Sequence, residues 1–280
     1  MKDNLFVFMQ YLIPQHSLSR LVGWFASTKI EWIKTTFITK FAAKYQVNMD
    51  EAQNSDLSSY ASFNEFFTRP LKDGARPIAD SALVSPADGA VSQLGKIELG
   101  RCFQAKGRDF GVTELLGGDS DRAQPFLNGD FTTIYLSPKD YHRVHMPCAG
   151  TLKETVYVPG DLFSVNPTTA QGVDGLFARN ERLVCMFETE YGPMAMVLVG
   201  AMIVAGIETV WSGQVCPLPK EAQVQDFSQG QVKLEKGEEM GRFKLGSTVI
   251  LCFPEDCIDF LDEIKAETPL TMGQALADKD

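Results

Sequence analysis

From about residue 80 onward the chain is divided into short runs rich in Val, Ile, Thr, Tyr and Phe, each closed by Gly, Pro, Asp or Asn. Phe131–Leu136, Thr151–Val158, Leu183–Glu190, Met194–Val199, Ile203–Val210 and Ser247–Phe253 have the length of strands and are too short for stable helices. Leu183, Cys185 and Phe187 alternate with Val184, Met186 and Glu188, and Tyr191-Gly192-Pro193 supplies a turn, which predicts a β-meander. Residues 81–280 are therefore expected to form a β-rich domain of sandwich-like antiparallel sheets. The longest uncharged apolar run, Met194 to Ile207, falls short of the roughly 20 residues that a membrane-spanning helix requires. Gly200 and Gly206 interrupt it, so two buried strands with a bend at Gly200 are expected.

The first eighty residues read differently. Thr28 with Glu31 forms a capping-box pattern ahead of Ile30, Ile33, Phe37 and Phe41, whose spacing lines one face of a helix. Upstream, Leu5, Phe6, Phe8, Tyr11 and Leu12 are followed by Leu18, Leu21, Trp24 and Phe25. Residues 1–45 are expected to be amphipathic helices and residues 46–80 a connector. Asn48 with Glu51 and Ser62 with Glu65 make two more capping boxes, and a short helix through Phe63, Phe66 and Phe67 should end before Pro70. Helices ahead of a β domain give an α+β fold class. The helices could pack on the main domain, or they could lie in a bilayer interface with Lys toward anionic headgroups. No small-residue cleavage site precedes Pro14, so a secretory leader is not expected and the chain should remain in the cytoplasm.

Charge narrows the partners. The chain carries 36 acidic against 26 basic residues, a formal −10, which argues against nucleic acid as a partner. The first fifty residues nevertheless hold six bases and three acids. The six Cys contain no C-x-x-C pair, so reduced thiols are expected rather than a zinc or redox centre.

Three segments could carry chemistry. Tyr141-His142-Arg143-Val144-His145-Met146-Pro147-Cys148 contains two of the three His residues. Its H-x-x-H-x-x-C spacing invites a metal, but residues three apart on a strand face opposite ways, so no metal is expected. Ser85-Pro86-Ala87-Asp88-Gly89 is a turn carrying Asp88, and Gly246-Ser247 opens an apolar strand. Together they offer an Asp, a His and a Ser, a set that recurs in nucleophile-activating triads and also arises by chance.

These segments, with Phe63-Asn64-Glu65-Phe66-Phe67-Thr68-Arg69-Pro70-Leu71, Gly160-Asp161-Leu162-Phe163-Ser164-Val165-Asn166 and Leu245-Gly246-Ser247-Thr248, occur in an order that resembles the bacterial, pyruvoyl-dependent phosphatidylserine decarboxylases. The likeness runs through nearly the whole chain. It implies a zymogen that cuts itself between Gly246 and Ser247: the Ser247 hydroxyl attacks the Gly246 carbonyl, His145 takes its proton, and Asp88 orients and stabilises that imidazolium. Elimination from the resulting ester and hydrolysis would leave a pyruvoyl group in place of Ser247. That covalent cofactor would substitute for pyridoxal phosphate, with no metal.

The resemblance further implies a β subunit of residues 1–246 held non-covalently to an α subunit of residues 247–280, and a possible dimer of such heterodimers. Phosphatidylserine in an anionic membrane would lose CO₂ through a Schiff base to give phosphatidylethanolamine, a step of phospholipid biosynthesis. His142 would be the proton donor, and Ser164 and Asn166 would contact the substrate. A lipid substrate favours the docking reading of residues 1–45, peripheral at the cytoplasmic face of the inner membrane. Two rivals keep the same residues without the cut: a serine hydrolase using Asp88, His145 and Ser247, and a non-enzymatic membrane scaffold.

Overall fold

The strand that opens at Ser247 lies inside the large sheet, paired on both edges. The computed structural model describes residues 2–202, 206–215, 221–244 and 247–279. In chain order the principal strands are β1 (Gly89–Lys96), β2 (Asp130–Leu136), β3 (Arg143–His145), β4 (Gly150–Val158), β5 (Arg182–Thr189), β6 (Gly192–Val199), β7 (Gly206–Thr209), β8 (Glu239–Lys244) and β9 (Ser247–Phe253). All seven residues of β9 are buried. It pairs antiparallel with β2, Ser247 opposite Leu136, and on its other edge with β6, Thr248 opposite Val199.

The large sheet runs Gln223–Asp226, β4, β5, β6, β9, β2, β1, Pro269–Leu270, with Lys233–Leu234 also on β4. A second sheet runs Gly213–Gln214, β7, β8, β3. Alternation along β9 serves both faces. Val249, Leu251 and Phe253 join Val144, Met146, Phe243 and Leu276 in one core, while Ile250 and Cys252 join Phe110, Phe126, Phe163 and Phe177 in another. The first core lies between the sheets, giving the expected sandwich, and the second is covered by short helices and the hairpin Arg101–Gly111.

The β5–β6 meander forms in full, with Gly192 at φ 85° in its turn. The chain leaves the large sheet at Gly200, as expected from the glycine. Ile203 begins no described strand, because residues 203–205 lie outside the described residues and β7 starts at Gly206.

The N-terminal region contains α1 (Lys2–Leu12), α2 (Gln15–Ser27), α3 (Glu31–Tyr45) and α4 (Phe63–Phe67). On α3 the buried face is Lys34, Ile38 and Ala42 rather than one including Ile30, which is 48% exposed. The reason is packing against α4 and the chain before it: Phe37 stacks on Phe63 at 4.2 Å, and the Lys34 ammonium donates to the Tyr60 carbonyl at 2.8 Å. The Thr28–Glu31 capping box does not form, since Ile30 is the N-cap and Glu31 instead pairs with Lys34 at 3.2 Å. The Asn48–Glu51 box also fails: Asn48 closes a turn onto the Asp50 N–H, and Glu51 is drawn to Arg76. The Ser62–Glu65 pair does cap α4, Ser62 Oγ accepting from the Glu65 N–H.

Helices α1 and α2 meet the β domain through two side-chain amides. Gln10 Oε1 accepts from the Ser164 N–H at 2.9 Å and Gln15 Oε1 from the Leu162 N–H at 2.7 Å. Tyr11 packs edge-on to Phe163 at 4.8 Å. Much apolar surface remains exposed on α1, α2 and α3, including Phe8, Leu12, Trp24 and Trp32. Among the described residues no helix is long and apolar enough to cross a membrane.

Candidate active site

Backbone pairing brings the three sequence segments together. The His145 N–H donates to the Pro86 carbonyl at 2.8 Å, joining β3 to the turn that carries Asp88. The Phe243 N–H donates to the His142 carbonyl at 3.0 Å, which sets His142 beside the last residues of β8, four positions before Ser247. Ser247 shares its face of β9 with Val249 and Leu251, the face that packs toward β3. Its Oγ is buried and, among the described residues, has no hydrogen-bond partner. Thr132, Thr133 and Thr248 also carry unpartnered hydroxyls. What distinguishes Ser247 is its position at the head of the strand, on the histidine side. Gly246 and Leu245 lie outside the described residues.

Asp88 is held by a fork. Arg76 Nε donates to Oδ1 at 2.9 Å and Nη2 to Oδ2 at 2.6 Å, and the Met272 N–H adds a bond to Oδ1 at 2.8 Å. Arg76 also reaches Glu51 at 2.6 Å, and the two carboxylates stabilise its charge. His145 is oriented by the backbone. Its Nδ1 lies 2.9 Å from the Gly237 carbonyl, which can only accept, so the proton sits on Nδ1 and Nε2 receives the Tyr141 hydroxyl at 3.1 Å. Burial lowers the His145 pKa, opposed by the bond to Gly237 and weakly by Glu239 and Asp88. A neutral His145 can accept a proton.

The relay expected from Asp88 to His145 is not drawn as a hydrogen bond. Arg76 and Met272 occupy Asp88, the ring is oriented by Gly237, and Asp88 acts on it only through space. Arg76, Tyr141 and the Gly237 carbonyl were not singled out by sequence for these roles. Tyr141 lies inside a motif that was, whereas Arg76 and Gly237 lie in loops without a distinguishing pattern.

His142 is wholly enclosed. Nδ1 donates to the Asp140 carbonyl at 2.8 Å, Nε2 is buried without a partner, and the ring rests on Phe67 with centroids 4.0 Å apart. Burial holds its pKa down to about 3, with the Asp140 bond opposing and Arg69 adding to the depression. Cys148, the third member of the H-x-x-H-x-x-C pattern, sits in the apolar core with its thiol pushed up to about 12 by burial. A cavity of about 230 Å³ has Arg76, Asp88, Asp140 and Tyr141 in its wall, and neither histidine.

A family model described as phosphatidylserine decarboxylase matches residues 63–278, and one described as PSD matches residues 5–46. The chain belongs to the phosphatidylserine decarboxylase family. Among its relatives, a phosphatidylserine decarboxylase proenzyme of Pseudomonas fluorescens is 60% identical, over 99% of this chain and 98% of the relative. Proenzymes of the same name from Saccharophagus degradans and Pseudomonas aeruginosa are each 58% identical over 99% of this chain, and over 98% and 97% of their own lengths. The family's Gly160–Asn166 segment is the loop gripped by Gln10 and Gln15. Within it Asn166 caps the helix Pro167–Gly172, its Oδ1 accepting from the Thr169 N–H at 3.1 Å. The Ser164 carbonyl accepts the Thr169 hydroxyl at 2.6 Å.

Proposed function

We propose that the chain is the precursor of a pyruvoyl-dependent phosphatidylserine decarboxylase that cuts itself between Gly246 and Ser247. The observation that carries this is the Ser247 hydroxyl, buried, unbonded among the described residues and facing the histidine strand at the head of β9. The residues fit the group. A hydroxyl with no hydrogen bond to break is free to attack the preceding carbonyl, and β9 is fixed on both edges, so the new chain end stays where it is formed. His145, neutral by burial, takes the Ser247 proton once the Tyr141 hydroxyl yields Nε2. Asp88 favours the imidazolium through space, the Arg76 fork holding its carboxylate in place.

When formed, the pyruvoyl group supplies the carbonyl electron sink into which the bond to CO₂ can break. The chain's residues manage the protons. His142 Nε2 is buried and unpartnered while Nδ1 is committed to Asp140, so it is the group that delivers a solvent-derived proton to the α-carbon that CO₂ leaves. Its depressed pKa makes it a ready donor once protonated. Ser164 presents a hydroxyl to the headgroup, and Asn166 serves the same loop through its cap. Exposed Phe8, Trp24 and Trp32 support peripheral docking of residues 1–45 on the inner membrane.

Intact-mass spectrometry tests the proposal. Wild-type protein should resolve into chains of 246 and 34 residues, the latter lacking a free N-terminal amine, with Ser247→Ala and His145→Ala remaining at the full 31.0 kDa. A single uncut species with decarboxylase activity would refute it. An uncut chain would instead leave the serine hydrolase or the scaffold.

A further inference from the structure

Among the described residues no carboxylate bonds Arg69, and Asp88 and Glu51 act on it only through space. The residue is 4% exposed, and a guanidinium cannot relieve its burial by losing a proton at ordinary pH. Among the described residues its buried Nε has no partner, and the one hydrogen bond its side chain makes is a long one, from Nη2 to the Lys139 carbonyl at 3.5 Å. The guanidinium lies 5.5 Å from the centroid of Phe66. The nearby carboxylates are already engaged: Arg76 holds both Glu51 and Asp88 at 2.6 Å. Asp140 accepts the Ser137 N–H at 2.7 Å. An isolated buried cation is strongly unfavourable unless something pairs with it.

Arg69 also lines the 230 Å³ cavity, together with Lys139, Asp140 and Tyr141. Asp140 bonds His142 through its carbonyl, and Tyr141 bonds His145 through its hydroxyl. The cavity wall is therefore one hydrogen bond away from each histidine. We infer that Arg69, assisted by Lys139, is the subsite for the phosphodiester oxyanion of the substrate headgroup. This rests on the decarboxylase reading and assigns one contact within it.

Two oxyanions belong to that headgroup, and chemistry separates them. Pairing Arg69 with the carboxylate would stabilise the charge that must depart as CO₂, raising the barrier to its loss. The phosphodiester keeps its charge in substrate, transition state and product, so binding it is uniform and acts on KM. Loss of a charge-assisted contact of this kind corresponds to roughly 10–100-fold in affinity.

The test compares Arg69→Met with wild type in detergent micelles of short-chain phosphatidylserine, after mass spectrometry has shown that both are cut. KM should rise by roughly 10–100-fold with kcat changed far less. Competitive inhibition by sn-glycerophosphoethanolamine should weaken by the same factor, Arg69→Lys should recover part of the loss, and ethanolamine lacking phosphate should not distinguish the proteins. Inorganic phosphate inhibiting as strongly as the diester, and losing the same factor, would replace the headgroup with a free anion as the ligand. An unchanged KM in a processed Arg69→Met enzyme would overturn the inference alone. Wild-type protein without decarboxylase activity would overturn the reading beneath it. If both Arg69 variants stayed uncut, the residue would belong to maturation and not to binding.

Discussion

A buried neutral histidine makes a protein sensitive to acid, and His142 allows the effect to be calculated. Its folded pKa is held to about 3 by burial, against an ordinary 6.5. Below about pH 6.5 the unfolded chain binds a proton that the folded chain refuses, so stability falls as the pH drops and continues to fall until the folded pKa is reached. Between pH 7 and pH 4.5 this single group should cost about 2.5 kcal/mol. The measurement uses Ser247→Ala protein, which stays one chain, with and without His142→Gln, by urea unfolding at both pH values. His145 is present in both proteins, so its own depressed pKa contributes equally. The His142→Gln protein should lose about 2–3 kcal/mol less over that interval. A difference below about 0.5 kcal/mol, the size of an ordinary surface substitution, would refute a neutral enclosed ring.

Replacing Phe8, Trp24 and Trp32 together by Ala should weaken partition onto anionic vesicles by about 10²–10⁴-fold, at roughly 1–2 kcal/mol for the part of each side chain that lipid would newly cover. Sedimentation with liposomes reads this, and partition within about threefold of wild type would refute docking through these helices. Asn166→Ala should lower stability by roughly 0.5–2 kcal/mol through the lost cap, with Asn166→Asp restoring it. Thermal melting checks it, and an unchanged melting temperature with a raised KM would make the residue a headgroup contact instead.

Much of the architecture was legible because strands announce themselves locally. The run Ser247–Phe253 was bounded correctly from its apolar pattern, and the alternation at Leu183–Phe187 with the Tyr191-Gly192 turn gave the β5–β6 hairpin. Helix rotation was not legible. The face of α3 is set by the aromatic side chains of α4 and by a carbonyl at Tyr60, partners 24 or more residues away that no local spacing encodes. Two of the three capping boxes failed for a related reason, since their acidic residues found cations at Lys34 and Arg76. At the site, the motifs located Asp88, His142, His145 and Ser247, but the groups that orient them, Arg76 and the Gly237 carbonyl, come from loops whose convergence exists only in three dimensions.

β9 is hydrogen-bonded along both edges, and the segments after it, Asp259–Phe260, Pro269–Leu270 and Ala275–Asp278, pair with one another or with Leu83–Val84 and Gly89–Lys96. A fragment woven in this way can depart only if the sheet opens. Before the cut, refolding is the private affair of one molecule. After it, two separated chains would have to find each other, so recovery depends on concentration and competes with aggregation of exposed strand edges. The proposed cut would therefore change the order of the folding reaction: the two-chain enzyme would persist through the height of its unfolding barrier, and heat inactivation should be effectively irreversible.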